Sequence, residues 1–352
     1  MNRHERALNI LAEGTFIPAH PLALTSERKL DEKRQRMLTR YYLASGVGGL
    51  AIAVHTTQFE IRKPDVGLFE PVLRLAIEEI EAFEKKTGKT IVRIAGVCGP
   101  LNQAAQEART ALNLGYDAVL LSPGGLNSLT EEEMLARTRA VAKIIPIVGF
   151  YLQSSVGGRV FTYDYWQKFC EIENVVAIKS APFNRYQTLD VVRAAALSSR
   201  ADKIALYTGN DDNIVVDLLT KYRFTHEGRI YEKRIVGGLL GHWSVWTNTA
   251  VKMFEMLKEA ALSETVSAEL LTLAVEVTDA NAAFFDTANG FKGCIAGLHE
   301  VLRRQKLMEG IWCLNEDETL SPGQMEEIDR VYRMYPHLND DQFVADNINN
   351  WA

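Results

Sequence analysis

The chain places a lysine where a lysine is costly. In Glu173-Asn174-Val175-Val176-Ala177-Ile178-Lys179-Ser180-Ala181, a short apolar and β-branched run ends on an amine. An apolar run of this length, bounded by turn-formers, reads as a strand buried on both faces. Lysine is among the residues least often buried, because its ammonium gives up hydration. Alternation along the strand sends Val175, Ala177 and Lys179 to one face, where small Ala177 leaves room for a long side chain. On this segment alone, a strand-end lysine that snorkels to water is the simpler reading. A desolvated one does chemistry: its neutral amine attacks a ketone, and the protonated imine is an electron sink for carbon–carbon cleavage or formation. At the ordinary pKa of about 10.4, only a few parts in ten thousand of the amine are neutral at pH 7. Burial lowers that pKa by up to several units.

Other reactive groups stand at the ends of neighbouring apolar runs. They are His55-Thr56-Thr57-Gln58, Ser122-Pro123-Gly124-Gly125, Tyr151, Gly209-Asn210-Asp211-Asp212 and Gly241-His242-Trp243-Ser244. Tyr151 is expected to shuttle a proton to and from the carbinolamine. Thr56 and Thr57, with their backbone N–H groups, are expected to bind a carboxylate without adding charge. Taken singly, each also reads as an ordinary turn or strand-end aromatic. Seven histidines without H-x-H or H-E-x-x-H spacing argue against a protein metal site.

The elements that must position these residues alternate. Strands are predicted at 14–19, 49–54, 90–97, 118–122, 146–152, 173–181, 204–208 and 235–240. Helices are predicted at about 30–44, 66–86, 102–114, from Thr130 onward, 163–172, 188–198 and 213–221. Thr130-Glu131-Glu132-Glu133 opens its helix as a capping box. Eight β-α units in about 250 residues match the α/β (β/α)8 barrel, whose catalytic groups come from the C-terminal ends of several strands. No G-x-G-x-x-G lies between a strand and its helix, which argues against a doubly wound dinucleotide fold. From Val245 onward only helical patterns remain. The expected organisation is a barrel over residues 1–255 and a helical C-terminal extension over 256–352, packed on the barrel.

Composition sets outer bounds. Hydrophobic residues make up 47% of the 352 and charged residues 24%, the balance of a soluble globular chain. A net charge of −6 gives no footprint for nucleic acid. No apolar run has the length of a membrane span, and Met1-Asn2-Arg3-His4-Glu5-Arg6 is not followed by the apolar core of a signal peptide. Cys98, Cys170, Cys294 and Cys313 lie far apart, as expected for reduced thiols in a cytoplasm.

Together these residues resemble the dihydrodipicolinate synthase/N-acetylneuraminate lyase family of pyruvate-dependent class I aldolases, over roughly residues 10 to 310. The family's Thr-Thr turn matches Thr56-Thr57, its strand-five tyrosine matches Tyr151, and its Schiff-base lysine matches Ile178-Lys179. Its glycine-aspartate segment looks like Gly209 to Asp212, and its last-strand pattern appears as Gly238, Gly241-His242-Trp243-Ser244 and Asn248. The resemblance implies an imine between Lys179 and pyruvate or another 2-oxo acid, no cofactor, and a homotetramer. It implies substrate contacts at Thr56, Thr57, Gly209 and Trp243.

Three departures narrow the implied activity. His55 and Gln58 replace the glycines that flank the Thr-Thr turn. The aromatic of the strand-four loop is missing. Val156 stands where dihydrodipicolinate synthases carry an arginine for aspartate semialdehyde, with Arg159 nearby. The expected function is therefore a Schiff-base lyase that is not a true dihydrodipicolinate synthase. Its rivals are a 2-oxo-3-deoxy sugar acid dehydratase using the same lysine, and a 2-oxo acid binding protein without turnover. Trp243, bulkier than the usual aliphatic residue, is expected to narrow the pocket.

Overall fold

The computed structural model describes residues Met1–Ala352. In chain order the first half comprises α1 (Arg3–Glu13), β1 (Phe16–Pro18), α2 (Glu32–Ser45), β2 (Gly49–Ile52), α3 (Phe69–Thr87), β3 (Val92–Val97), α4 (Leu101–Asn113), β4 (Ala118–Leu121), α5 (Glu131–Ala142), β5 (Ile147–Leu152) and α6 (Tyr163–Cys170). The second comprises β6 (Val175–Ala181), α7 (Arg185–Leu197), β7 (Ala205–Thr208), α8 (Ile214–Leu219), β8 (Lys221–His226), β9 (Arg229–Leu240), α9 (Thr247–Ala260), α10 (Glu269–Phe284), α11 (Cys294–Arg304), α12 (Gln324–Met334) and α13 (Asp341–Asn347). The strand order is β1-β9-β7-β6-β5-β4-β3-β2, with β8 attached to β9 alone. This is a (β/α)8 barrel with C-terminal helices, as the alternation predicts.

The chain divides into two compact units. One comprises Met1–Thr15, Val92–Leu239 and Leu257–Val266. Its parallel strands are apolar because both faces are covered, and every residue of β3, β4, β5 and β7 is buried. The helices start where side chains satisfy the free N–H groups: Thr130 and Glu133 form the capping box on α5, and Thr162 and Asn184 cap α6 and α7. α1 was not apparent in the sequence; it opens on an Asn2–Glu5 capping box. Arg3 and His4 at its start reach buried Asp117, at 2.6 and 3.0 Å.

The eighth barrel strand also departs from expectation. β9 is twelve residues long, and its outer half pairs antiparallel with β8, from Lys221 with Arg234 to His226 with Arg229. Glu227 and Gly228 both take positive φ at the tip, 49° and 74°, as a type I′ hairpin turn requires. The alternating, largely polar arm reads as neither a buried strand nor an amphipathic helix, which is why it was missed.

The other unit comprises Phe16–Ile91, Leu240–Met256 and Ser267–Ala352. A parallel bridge joins Ala19, just after β1, to Ala51 of β2. Buried Asp340 ties this unit together: it accepts from the Tyr41 hydroxyl and the Asn248 N–H, each at 2.8 Å, and from Gln305 at 2.7 Å. The division expected at 255/256 falls inside α9. No helix is long and apolar enough to cross a membrane.

Candidate active site

Lys179 sits near the C-terminal end of β6, with only 9% of its surface exposed. The parallel register pairs it with Phe150 of β5 on one side and Tyr207 of β7 on the other. Paired residues in parallel strands point the same way, so Phe150, Lys179 and Tyr207 share the inner face. The Lys179 amine lies 4.5 Å from the centroid of the Phe150 ring, a cation–π distance. Burial pulls the amine down from its ordinary value to about 8, against the opposing pull of the Asp211 carboxylate.

Gly209 makes the lysine's position possible. A Cβ there would stand 2.4 Å from Lys179 Cε and 2.7 Å from the Ala181 Cβ, closer than nonbonded carbons approach. The Gly209 N–H donates to the Ser180 carbonyl at 2.7 Å, which fixes the end of β7 against β6. Beyond it, the Asn210 side chain turns outward to Asp217 and Thr188, at 3.0 and 3.3 Å. Asp211 follows, 8% exposed.

Tyr151 does not join Lys179, and this corrects its assignment as the proton shuttle. It pairs with Ser180, on the face opposite Lys179. Its ring packs on Phe161 and on Trp166 of α6, with centroids 5.8 and 5.1 Å away, and its hydroxyl accepts from the Phe161 N–H at 3.3 Å. Gly149, two residues earlier, confirms the parity, since a Cβ there would meet the Phe169 ring of α6. Burial raises the pKa of the Tyr151 phenol. A residue step read from sequence does not fix which face a strand residue takes, because a shift of one reverses it. The β5–β6 pairing contains such an irregularity, between Ile147 and Val148. Phe150, the residue that faces the amine, was passed over because a phenyl ring offers no acid-base group.

The strand-four loop carries Ser122, whose hydroxyl accepts from the Gly124 N–H at 3.2 Å. Buried Arg137 joins this loop to the end of β3, donating to the Gly99 and Ser122 carbonyls at 2.8 and 3.0 Å. Arg159 donates to the Leu129 carbonyl and lies over the Phe161 ring. Its guanidinium is thus already engaged within its own loop.

In the other unit, Thr56 and Thr57 are buried in a 3-10 turn, His55–Thr57, at the end of β2. Their hydroxyls donate to the Ala19 and His20 carbonyls at 2.8 and 2.7 Å. The Thr57 hydroxyl also accepts from the Val54 N–H at 3.2 Å. Gln58, where the family has glycine, takes φ 69° and ψ 127°, a conformation that disfavours side chains. It is held by its side-chain carbonyl, which accepts from the Leu314 N–H at 2.6 Å.

Trp243 also departs from its expected role. It stacks on Phe16 with ring centroids 3.8 Å apart and meets Phe254 of α9 edge-on at 5.4 Å. With 0% exposure it fills the apolar core of its unit. A bulky aromatic beside a motif serine looks like a pocket wall in sequence; the stack on Phe16 shows it is packing.

No protein-family model matches the chain. Curated relatives do. The chain is 35% identical to the 4-hydroxy-tetrahydrodipicolinate synthase of Clostridium novyi over 141 residues, 39% of this chain and 46% of that one. It is 28% identical to that of Thioalkalivibrio sulfidiphilus over 213 residues, 58% of this chain and 64% of that one. Among solved structures, dihydrodipicolinate synthase from Oceanobacillus iheyensis superposes with a TM-score of 0.73 over 95% of this chain and 99% of its own, at 15% identity. N-acetylneuraminate lyase from Fusobacterium nucleatum, also solved as its pyruvate complex, gives 0.70 over 92% and 99%, at 16% identity.

The family the chain resembles is that of dihydrodipicolinate synthase and N-acetylneuraminate lyase. The chain spans about half the length of the curated dihydrodipicolinate synthases of Clostridium novyi and Alkaliphilus oremlandii. At these identities the solved synthase and lyase speak to the fold.

Proposed function

We propose that this chain is a lyase of the class I aldolase type, forming an imine between Lys179 and pyruvate or another 2-oxo acid. One observation carries the reading: a lysine on the inner face of a barrel strand, almost fully buried, with its amine drawn down to about 8 by desolvation. At that value roughly a tenth of the amine is neutral at pH 7, some hundredfold more than in an unperturbed lysine. The names of the curated relatives and the pyruvate complex of the Fusobacterium lyase support the donor.

In the proposed reaction the protonated imine supplies the electron sink, so no cofactor enters. Gly209 leaves room for the Lys179 stem that carries the amine. A carboxylate site at Thr56 and Thr57 is what the resemblance implies. Their hydroxyl protons go to the Ala19 and His20 carbonyls, and the Thr57 and Gln58 N–H groups donate to the Val54 and His55 carbonyls at 3.0 and 2.9 Å, so the Thr56 N–H is the proposed backbone donor. Val156, together with the engagement of Arg159 by Leu129 and Phe161, supports an acceptor other than aspartate semialdehyde. A cytoplasmic homotetramer is the assembly the resemblance implies.

The test is product analysis with a panel of 2-oxo acids and 2-oxo-3-deoxy sugar acids. A lyase releases pyruvate, or consumes it with an aldehyde. Loss of water without pyruvate release would instead identify a dehydratase, and binding without any product would identify a non-catalytic receptor.

A further inference from the structure

The turn that leaves β7 is fixed from the outer side of the barrel. Thr208 pairs with Ser180, so it takes the face opposite Lys179 and Tyr207. There its hydroxyl donates to the Asp217 carboxylate of α8 at 2.7 Å and accepts from the Asn210 N–H at 3.1 Å. The Asn210 amide donates to the same carboxylate at 3.0 Å. Its side-chain carbonyl accepts from the Phe183 N–H at 3.1 Å, in the loop that leaves β6. Both neighbours of Gly209 are therefore tied to one side chain.

That side chain is built in as a carboxylate. Asp217 is 0% exposed. Besides Thr208 and Asn210, it accepts from Arg185 of α7 at 2.6 Å, from the Asn213 amide at 2.9 Å and from the Tyr222 hydroxyl of β8 at 3.4 Å. Arg185 supplies the opposite charge that a buried anion needs. All of these partners donate, and an ionised carboxylate is the side chain that only accepts. An amide at this position would turn its own N–H groups against some of the donors.

On the inner side of the same turn, the Gly209 backbone forms a wall against the lysine. A Cβ on it would stand 2.4 Å from Lys179 Cε and 3.0 Å from Cγ. Glycine has the widest backbone freedom of any residue and no side chain to anchor it. Apart from its N–H bond to the Ser180 carbonyl at 2.7 Å, its place is set by residues 208 and 210.

We infer that Asp217 is a positioning residue for Lys179. By clamping Thr208 and Asn210 from outside the barrel, it holds the Gly209 backbone against the lysine stem. The stem thereby keeps the path that presents a desolvated amine for imine formation. The inference rests on the imine reading proposed above.

The experiment reads Lys179 in two ways in the full chain. Competitive acetylation with acetic anhydride across pH, followed on the peptide that contains Lys179, gives the titration midpoint of the amine without any 2-oxo acid. Labelling by pyruvate and cyanoborohydride at pH 7 gives the rate of imine formation. In Asp217→Asn the wall loosens and water reaches the amine, so the midpoint is expected to rise by about one pH unit. The neutral fraction falls about tenfold per unit, and labelling should slow about tenfold with it. A role confined to stability predicts a lower melting temperature with midpoint and rate unchanged in the folded protein. That result overturns the inference.

Should Asp217→Asn fail to fold, Thr208→Val decides, since it keeps the side-chain shape and removes only the clamping hydroxyl. The same rise and the same slowing are expected, and parental values for both overturn the inference. Thr208→Ser keeps the hydroxyl and should rescue both readings. A serine variant as impaired as the valine one would trace the effect to the lost methyl group and count against the clamp. If the midpoint moves as expected but no 2-oxo acid labels Lys179 in the unsubstituted protein, the imine reading has failed while the positioning of the amine by Asp217 stands.

Discussion

Phe150 and Lys179 occupy paired positions on adjacent parallel strands, with the lysine amine 4.5 Å from the phenyl centroid. The pairing defines the inner face at this level of the barrel. It places an apolar ring where the residue spacing suggests a phenol. The amine is therefore desolvated on the β5 side.

Tyr151→Phe separates the two faces. The change removes a hydroxyl that accepts from the Phe161 N–H and leaves that donor buried. A stability loss of about 1–3 kcal/mol is expected in a denaturant melt, the cost of an unsatisfied buried group. Labelling of Lys179 should keep its rate. A large fall in that rate with stability intact would return Tyr151 to the chemistry.

Gly209→Ala should disable the site. The new methyl would start 2.4 Å from Lys179 Cε, so the lysine must move. Overpacking of this kind costs about 1–3 kcal/mol, and imine formation should fall by more than tenfold. Labelling at the parental rate would show that the lysine stem does not need its observed path.

The pH dependence follows from burial. Desolvation disfavours the ammonium and lowers the Lys179 pKa to about 8. The labelling rate should rise nearly tenfold per unit below that value and flatten above it. A rate that keeps climbing towards pH 10 would indicate an amine that is not desolvated.

Trp243→Ala should act on stability. The indole is fully buried against Phe16 and Phe254, and truncating such a residue costs about 3–5 kcal/mol. The melting temperature should fall, while the pattern of accepted 2-oxo acids stays the same. A widened pattern would make Trp243 a pocket wall after all.

Condensation of pyruvate with aspartate semialdehyde should be negligible. Val156 offers no charge, and Arg159 is engaged by the Leu129 carbonyl and the Phe161 ring. Turnover within the ordinary enzyme range, about 1–1000 per second, would contradict this.

The barrel was legible because its strands are continuous apolar runs and its helices are punctuated by caps such as Thr130-Glu133 and Asn184. Lys179 was legible for the same reason, as a charge at the end of an apolar strand. Gly209 followed from its place at a strand end, although the close approach of the lysine stem could not be seen. What stayed hidden depends on side-chain direction. Tyr151 and Phe150 are adjacent, and only the register decides which one meets the amine. Trp243 was misjudged because its stacking partner Phe16 lies more than two hundred residues away. Asp211 was visible only as half of an acidic pair, and burial distinguishes it from Asp212.

The most direct measurement is reductive trapping followed by peptide mass mapping. The protein is incubated at pH 7 with pyruvate, or with each member of a 2-oxo acid panel, and borohydride is added. Lys179 is buried with a lowered pKa, whereas Lys33 and Lys86 are exposed on helix surfaces. The account predicts the mass of one reduced imine on the peptide that contains Lys179, and its loss in Lys179→Ala. Label spread over exposed lysines, or no label on Lys179 with any acid of the panel, would contradict it.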